Sequence, residues 1–600
     1  MHEAPGHPTP NVSPTPGQGG VAAQRVRRLV VALLALGAVA LIALSLVPYE
    51  RLKDHLDNFT VDRDADLSRA EFDAIVWRLR VLAIGFALLA VALLVFATTI
   101  DRVVREVGRS WWSSLRRAPS LFLSWCVREP RAVVAAATSI LVAAVVVRVA
   151  FLDVPMRYDE ATTYNNFVSK PLYVALANYA TPNNHLLHTL LAKVSVALFG
   201  NEPWAIRLPA LAAGIALVPA TFALTRILYG RIAALLAAAL VAASSTLVEY
   251  STNARGYTLV ALATVIVLIA ATRALDRDTL GAWVVVAVVG ALGLYAVPIM
   301  IYPLGGVLVW TFVSGWLAGR AARPLLTRIG AAALVVTVLT LILYAPVYAA
   351  SGVRSVTANE FVEPRTWATL LDLFPGHVSD TVETWTRDLP LVASIILGAG
   401  LLVGLAATPW ISRFPVPVLL AVAAWALAIL ALQRVVPYTR VWLFLVPLTA
   451  ATAAGFYGWA LERRTWAARA GPAIAVVVAI GGSLLVLSAD SVRESRETGA
   501  LLDAPAIAAF LAERVDPDDR ILATGSDTIL EYYLERDGVD AGSLLYATEP
   551  RARTYVVVNV LGGQTIDDLV RQLDGSTGLG TPELLISFES GQVYLVQRQA

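Results

Sequence analysis

Apolar residues run along this chain in long unbroken stretches, without the alternation of a half-buried strand or the one-sided stripe of a water-facing helix. The stretches lie at 25–46, 79–100, 132–151, 206–225, 232–249, 257–272, 281–299, 302–318, 329–348, 389–408, 415–433, 440–458 and 472–489. A helix crosses a bilayer in about 20 residues, and helices satisfy their own backbone in lipid. The pattern therefore predicts about 13 transmembrane helices. The first run follows Arg25, Arg27 and Arg28 as a signal peptide would. It is long enough to span, and Pro48-Tyr49-Glu50-Arg51 follows in place of a small-residue cleavage site, so it reads as a retained helix. The segment 184–199 is shorter and carries His185, His188 and Lys193. It reads as an amphipathic helix on the membrane surface.

The pattern breaks at both ends. Residues 1–24 form a tail rich in Pro, Gly, Thr and His, expected to be disordered. Residues 25–131 hold two additional spans and a basic loop, and 132–489 hold the remaining spans. From about Asp490 the chain turns polar and alternates helix and strand patterns. Helices are predicted at Pro505–Val515, Ile529–Glu535 and Thr565–Leu573, and strands at Arg520–Thr524, Ser543–Ala547, Thr554–Val560, Leu584–Phe588 and Val593–Gln597. Residues 490–600 thus read as a small α/β domain. No glycine-rich phosphate loop follows its first strand.

Composition agrees with a lipid solvent. Hydrophobic residues make up 57% of the chain and charged residues 15%, against about 25% charged in soluble proteins. Soluble, collagen-like and disulfide-stapled classes are excluded, the last because Cys126 has no second cysteine to pair with. A net charge of +2 gives no case for nucleic acid. The arginines are more informative: Arg102 to Arg131, Arg226 and Arg231, Arg273 and Arg277, Arg320 to Arg328, Arg413, and Arg463 to Arg469 fall in alternate loops. By the positive-inside rule those loops are cytoplasmic. The expectation is a multi-pass protein of the plasma (inner) membrane with its N-terminus cytoplasmic and its C-terminus extracytoplasmic.

The other face holds the candidate chemistry. Tyr158-Asp159-Glu160 follows the third span; adjacent carboxylates there suit general-base work, metal binding or a solvated loop. Asn183, Asn184, His185 and His188 open the surface helix, the two imidazoles sharing a face, and suit a metal or a phosphate. Arg255, in Tyr250-Ser-Thr-Asn-Ala-Arg255-Gly-Tyr257, opposes the positive-inside bias and calls for a partner, either a phosphate or Glu249. Arg434 and Arg440 add two more outer cations. A long outer loop is expected between 349 and 388, with Glu360 and His377. Asp62–Phe72 loosely resembles a calcium loop but lacks the turn glycine. Asn58-Phe-Thr60 fits a glycosylation acceptor.

The Asp-Glu pair after a span, the Thr-Pro-Asn-Asn-His start at 181–185, Trp204-Ala-Ile-Arg207-Leu-Pro209, the 250–257 loop and Pro437-Tyr-Thr-Arg440-Val-Trp-Leu-Phe-Leu-Val-Pro447 together resemble the GT-C membrane glycosyltransferases. The branch is that of protein mannosyltransferases and lipid A aminoarabinose transferases, and the resemblance covers roughly residues 130–460. It implies a GT-C-like core over 132–489. It also implies transfer of a sugar, with inversion, from a polyprenyl-monophosphate donor to a glycan, glycolipid or protein acceptor on the extracytoplasmic face. It matches Asp159 to a base or acceptor ligand, with Glu160 its neighbour, and Arg255 to a phosphate-facing arginine; with the other outer cations the expected site is Asp159 and Glu160 as catalytic and Arg255, Arg434, Arg440 and Tyr257 on the donor phosphate. Tyr158, Asn183 and Asn184 fall to a substrate loop. A divalent ion (Mg, Mn or Ca) is a candidate cofactor, on Asp159, Glu160, His185 and His188. Where members of the branch show His-Pro-Pro or Lys-Pro-Pro, this chain has His185-Leu-Leu. The competing class is a lipid or polysaccharide-precursor transporter or flippase. Such proteins place ionisable groups near the midplane in broken helices, whereas these spans are almost free of charge, Arg148 sitting near an outer end where it can snorkel.

Overall fold

The computed structural model describes residues 18–56, 67–357, 363–495, 497–547, 549, 551–573 and 579–598. The calcium-like acids Asp62 to Asp66, the Asn58–Thr60 acceptor, Glu360 and most of the N-terminal tail lie outside them. Ten described helices are long and apolar enough to cross a membrane: Val21–Ser45, Arg69–Val95, Arg131–Val149, Pro203–Tyr229, Tyr257–Arg277, Pro298–Leu317, Ala322–Leu343, Leu391–Ile411, Thr439–Glu462 and Thr465–Ser488. Arg231–Ala242 and Ser245–Ser251 make an eleventh, bent by 61° at their break. The other two expected spans are the shorter apolar helices Leu280–Ala296 and Val418–Gln433, of 17 and 16 residues. At about 1.5 Å per residue they lie at the short end of what a bilayer needs, so the count of about 13 is not confirmed. Leu186–Phe199, of 14 residues, is shorter still. The protein is a multi-pass membrane protein of largely helical fold.

Small residues set the spacing within the bundle. Gly458 lies so close to the 231–242 helix that a Cβ there would come within 2.7 Å of Ala233 Cα, an approach that association in lipid exploits. The break before Ser245 has its own cause. Arg148 does not snorkel: it is wholly buried, its Nη1 donating to Ala242 O at 3.0 Å and its Nη2 to Val241 O at 3.3 Å. The guanidinium satisfies carbonyls that the interrupted helix leaves open. The basic loop after the second span is one 32-residue helix, Ala97–Arg128. It is tied to the first span by Arg27–Asp101 at 2.9 Å, and Glu129 just beyond it pairs with Arg226. The long loop expected between 349 and 388 also contains a helix, Trp367–Thr386. Its His377 is buried, with Nε2 accepting from the Trp442 indole N–H at 2.7 Å.

The C-terminal unit is a four-stranded mixed sheet, β1 (Arg520–Leu522), β2 (Arg553–Asn559), β3 (Glu583–Ser587) and β4 (Gly591–Gln597), in the order β1-β2-β4-β3. β1 and β2 are parallel; the other pairings are antiparallel. The strand expected at Ser543–Ala547 is instead a helix, Ala541–Leu545. Its Ala541, Leu544 and Leu545 are buried, a spacing of three and four that places them on one helical face. The core of this unit, with Ile507, Leu511, Ile529, Leu534, Val557 and Val593, is continuous with Met156, Ala161, Ala192, Ile206 and Ala254. The sheet unit and the loops at one end of the membrane bundle therefore share one apolar core.

Candidate active site

The short helix Tyr158–Thr163 carries both candidate carboxylates. Consecutive helical positions project about 100° apart, so the two side chains meet different surroundings. Glu160 points inward and is fully buried. Its Oε1 accepts from Arg207 Nε at 2.8 Å and from the Ala254 N–H at 2.7 Å. Its Oε2 accepts from Arg207 Nη2 at 2.6 Å and from the Arg157 N–H at 3.0 Å. Burial alone would raise this carboxyl, but Arg207 and Arg157 outweigh it and hold Glu160 below the usual carboxylate range. Arg207 in turn donates to the carbonyls of Leu152, Val154 and Pro155. Glu160 thereby ties together the 152–157 loop, the 250–257 loop and the Pro203–Tyr229 helix, each of its oxygens accepting two hydrogen bonds.

Asp159 is the opposite case. Its side chain keeps 14% exposure and meets two guanidiniums, Arg440 Nη2 at 3.6 Å and Arg255 Nη2 at 3.8 Å. Asn183 Nδ2 donates to its Oδ1 at 3.4 Å. All are longer than a charge-assisted hydrogen bond at its best, so the carboxylate is oriented without being saturated.

Arg255 is nearly wholly buried, yet its Nε and Nη1 have no protein acceptor. Tyr250 Oη, both side-chain polar atoms of Asn253 and both ring nitrogens of His188 are buried in the same condition. Buried donors left unmet are costly, and this concentration of them around one loop marks a polar site. Arg440 donates through Nε to Tyr257 Oη at 3.2 Å and lies 4.2 Å from the Tyr438 ring centroid. Glu249 does not pair with Arg255: it is held by Arg387 at 2.6 Å and by the Ser495 hydroxyl at 2.5 Å.

The remaining expected residues divide clearly. His185 Nδ1 accepts the Gly256 N–H at 2.7 Å, and its ring packs edge-on to Tyr257 with centroids 5.0 Å apart. Burial first, then Arg255 and His188, hold it well below the ordinary imidazole range. Burial and Arg255 push His188 down to about 3, so both imidazoles are neutral at physiological pH. Asn184 serves the backbone, donating to the carbonyls of Ala175 and Asn178 and accepting from Thr189. Tyr158 packs against the sheet unit's core. Arg434 ends the Val418–Gln433 helix with φ of 55°, and the ion partners of Asp159 among the described residues are Arg255 and Arg440, not Arg434. The candidate metal set does not fit an ion: Glu160 is saturated, His185 Nδ1 is engaged, and Asp159 faces two cations. Among the described residues no three His, Cys, Asp or Glu side chains converge as a metal site.

Residues 182–349 match the model of the dolichyl-phosphate-mannose-protein mannosyltransferase family. The resemblance to the GT-C membrane glycosyltransferases holds. Among solved structures the chain is similar to ArnT from Cupriavidus metallidurans, in the apo state and bound to undecaprenyl phosphate. Each is 14% identical, with a TM-score of 0.41, over 76% of this chain and 97% of that one. It is similar also to the Archaeoglobus fulgidus oligosaccharyltransferase in complex with Zn and sulfate, at 14% identity and a TM-score of 0.41, over 76% of this chain and 72% of that one. No curated protein matches the chain.

Arg207, Tyr250, Asn253 and Glu497, the last 3.6 Å from Arg440, are parts of the site to which the sequence alone assigned no role. Arg207 had a legible signal, a cation four residues inside a long helix whose only other charge is Arg226 in its last turn. Tyr250 and Asn253 lay in the 250–257 loop that carried the resemblance, and Glu497 had no signal.

Proposed function

We propose that the protein transfers a sugar from a polyprenyl-monophosphate donor to a hydroxyl of a glycan, glycolipid or protein, with inversion, on the extracytoplasmic face of the plasma (inner) membrane. The observation that carries this reading is the unsaturated Asp159 carboxylate beside Arg255, a buried guanidinium with two N–H groups free of protein acceptors. A phosphodiester is a fitting anion for that fork, and its lipid tail stays in the bilayer while the phosphate meets the arginines. The acceptor hydroxyl gives its proton to Asp159 as its oxygen attacks the anomeric carbon. The bond from that carbon to the phosphate oxygen breaks on the opposite side, which inverts the centre. Arg255 and Arg440 take up the charge growing on the leaving phosphate. Glu160, His185 and Asn184 hold the loops that set this geometry. The N-terminus lies in the cytoplasm on this reading, with the arginine-rich loops.

The deciding experiment incubates purified protein with a panel of polyprenyl-phosphate sugars and scores release of lipid phosphate, with divalent ions and with chelator. The expected result is consumption of at least one donor, continuing in chelator because the donor set suits no ion. Failure of every donor to bind or react overturns the reading.

A further inference from the structure

The connector between the last span, Thr465–Ser488, and the sheet unit crosses over the Asp159 site. Val492 O accepts from Arg157 Nη2 at 2.8 Å, and Gly499 O accepts from the Tyr158 N–H at 3.1 Å. Gly499 has φ of +67°, and a Cβ there would stand 2.8 Å from Tyr158 Cβ, so both backbone and space require glycine. Beyond the connector, the helix Asp527–Arg536 clamps the Asp159 helix from outside: Tyr533 Oη accepts the Met156 N–H at 2.9 Å, and Asn165 Nδ2 donates to Thr528 O at 2.9 Å.

Within this connector Glu497 meets Arg440. Its Oε1 lies 3.6 Å from Arg440 Nη1, while Nη2 of the same guanidinium lies 3.6 Å from Asp159. The Thr439 hydroxyl fixes that oxygen at 3.0 Å, and the Glu497 carbonyl lies 3.4 Å from Nη1. Arg440 thus stretches between two carboxylates and is tight on neither.

Resting on the proposed donor chemistry, we propose that Glu497 is a positioning residue that weakens the grip of Arg440 on the lipid phosphate, so that the product leaves. Arg255 and Arg440 balance Asp159 and Glu497 in charge. The donor is a phosphodiester with one negative charge; the released lipid phosphate is a monoester, which carries up to two. With Glu497 absent the site gains a positive charge and retains the product, and product release is a step that commonly limits turnover. The groups facing Glu497 are Arg440 and Thr439 on one segment, Glu249 and Tyr250 on another, and Arg387 through its pair with Glu249. Burial raises the Glu497 carboxyl above its usual range and Glu249 adds to this, against the pull of Arg440. As pH falls through its titration the competing charge disappears, which favours phosphate binding and offsets the loss of the monoester's own second charge.

The test measures binding of a polyprenyl monophosphate and steady-state transfer on the full-length protein, across mildly acidic to neutral pH. Glu497→Gln keeps the size and an oxygen for Thr439. It is expected to bind the lipid phosphate several-fold more tightly at neutral pH, to lower both the donor KM and kcat, and to lose affinity more steeply than the wild type as pH falls, so that the two converge in acid. Glu497→Asp restores the pH dependence. A folded Glu497→Gln protein with wild-type affinity at every pH, or with weaker affinity, overturns the inference while wild-type transfer still stands. A wild-type protein that binds no polyprenyl phosphate and consumes no donor overturns the proposed function, and this inference with it.

Discussion

Arg207 grips Glu160 with both prongs of its guanidinium, Nε to Oε1 at 2.8 Å and Nη2 to Oε2 at 2.6 Å, and both side chains are wholly buried. Removing one partner strands the other charge. Arg207→Met is expected to destabilise the fold by about 3–5 kcal/mol, seen as a large drop in the melting temperature of the purified protein or as loss of folded material. A variant that melts like the wild type would deny this pair its role as the tie between loops.

Asp159 has looser partners, so its replacement spares the fold. Asp159→Asn should melt within a degree or two of the wild type yet lose transfer by about 10²–10⁴-fold, the range of a general base. Donor binding is the control: it should persist, since the arginines remain.

Arg255 supplies two unmet donors. Arg255→Gln should weaken donor binding by about 1.5–3 kcal/mol, the worth of hydrogen bonds to charged groups. Arg255→Lys should recover only part, because an ammonium does not reproduce the planar fork. Full recovery by lysine would argue against a two-pronged contact with phosphate.

His188 gives a pH signature. Its folded pKa of about 3 lies below the ordinary imidazole value of 6.5, so the unfolded chain takes up a proton that the folded one refuses. Stability from this group is complete above about pH 6.5 and declines as pH falls toward 3. Melting temperatures measured from pH 7 to pH 5 should fall in the wild type, and the slope should flatten in His188→Gln.

Gly214 allows the Pro203–Tyr229 helix to lie against Ser251 beside Arg148. A Cβ there would overlap Ser251 Oγ and come within 2.6 Å of Ser251 Cβ. Gly214→Ala is expected to cost about 1–3 kcal/mol through overpacking, read as a lowered melting temperature.

The sequence by itself determined the solvent and most of the elements. Runs of apolar residues long enough for a bilayer leave few structures open to the chain, because unpaired backbone cannot be left in lipid. The runs therefore announced the helices, and the change of pattern near Asp490 announced the sheet unit. Local spacing misjudged only what neighbours decide. Ala541–Leu545 looks like a strand until one sees which side is covered, and Arg148 looks free to reach water until the open carbonyls of Val241 and Ala242 are in view. The site divides the same way. Asp159, Arg255 and Arg440 were legible as charges in the loops that alternate with the arginine-rich ones, and the structure brings the three together. The different duties of Asp159 and Glu160 were not legible, since adjacent acids look identical in a string. Only the tertiary structure, by bringing Arg207 from 47 residues away to Glu160 and Arg440 from 281 away to Asp159, made one carboxylate a buried strut and left the other loosely held and partly exposed. Burial and pairing are properties of neighbours in space, and in this chain those neighbours come from distant parts of the sequence.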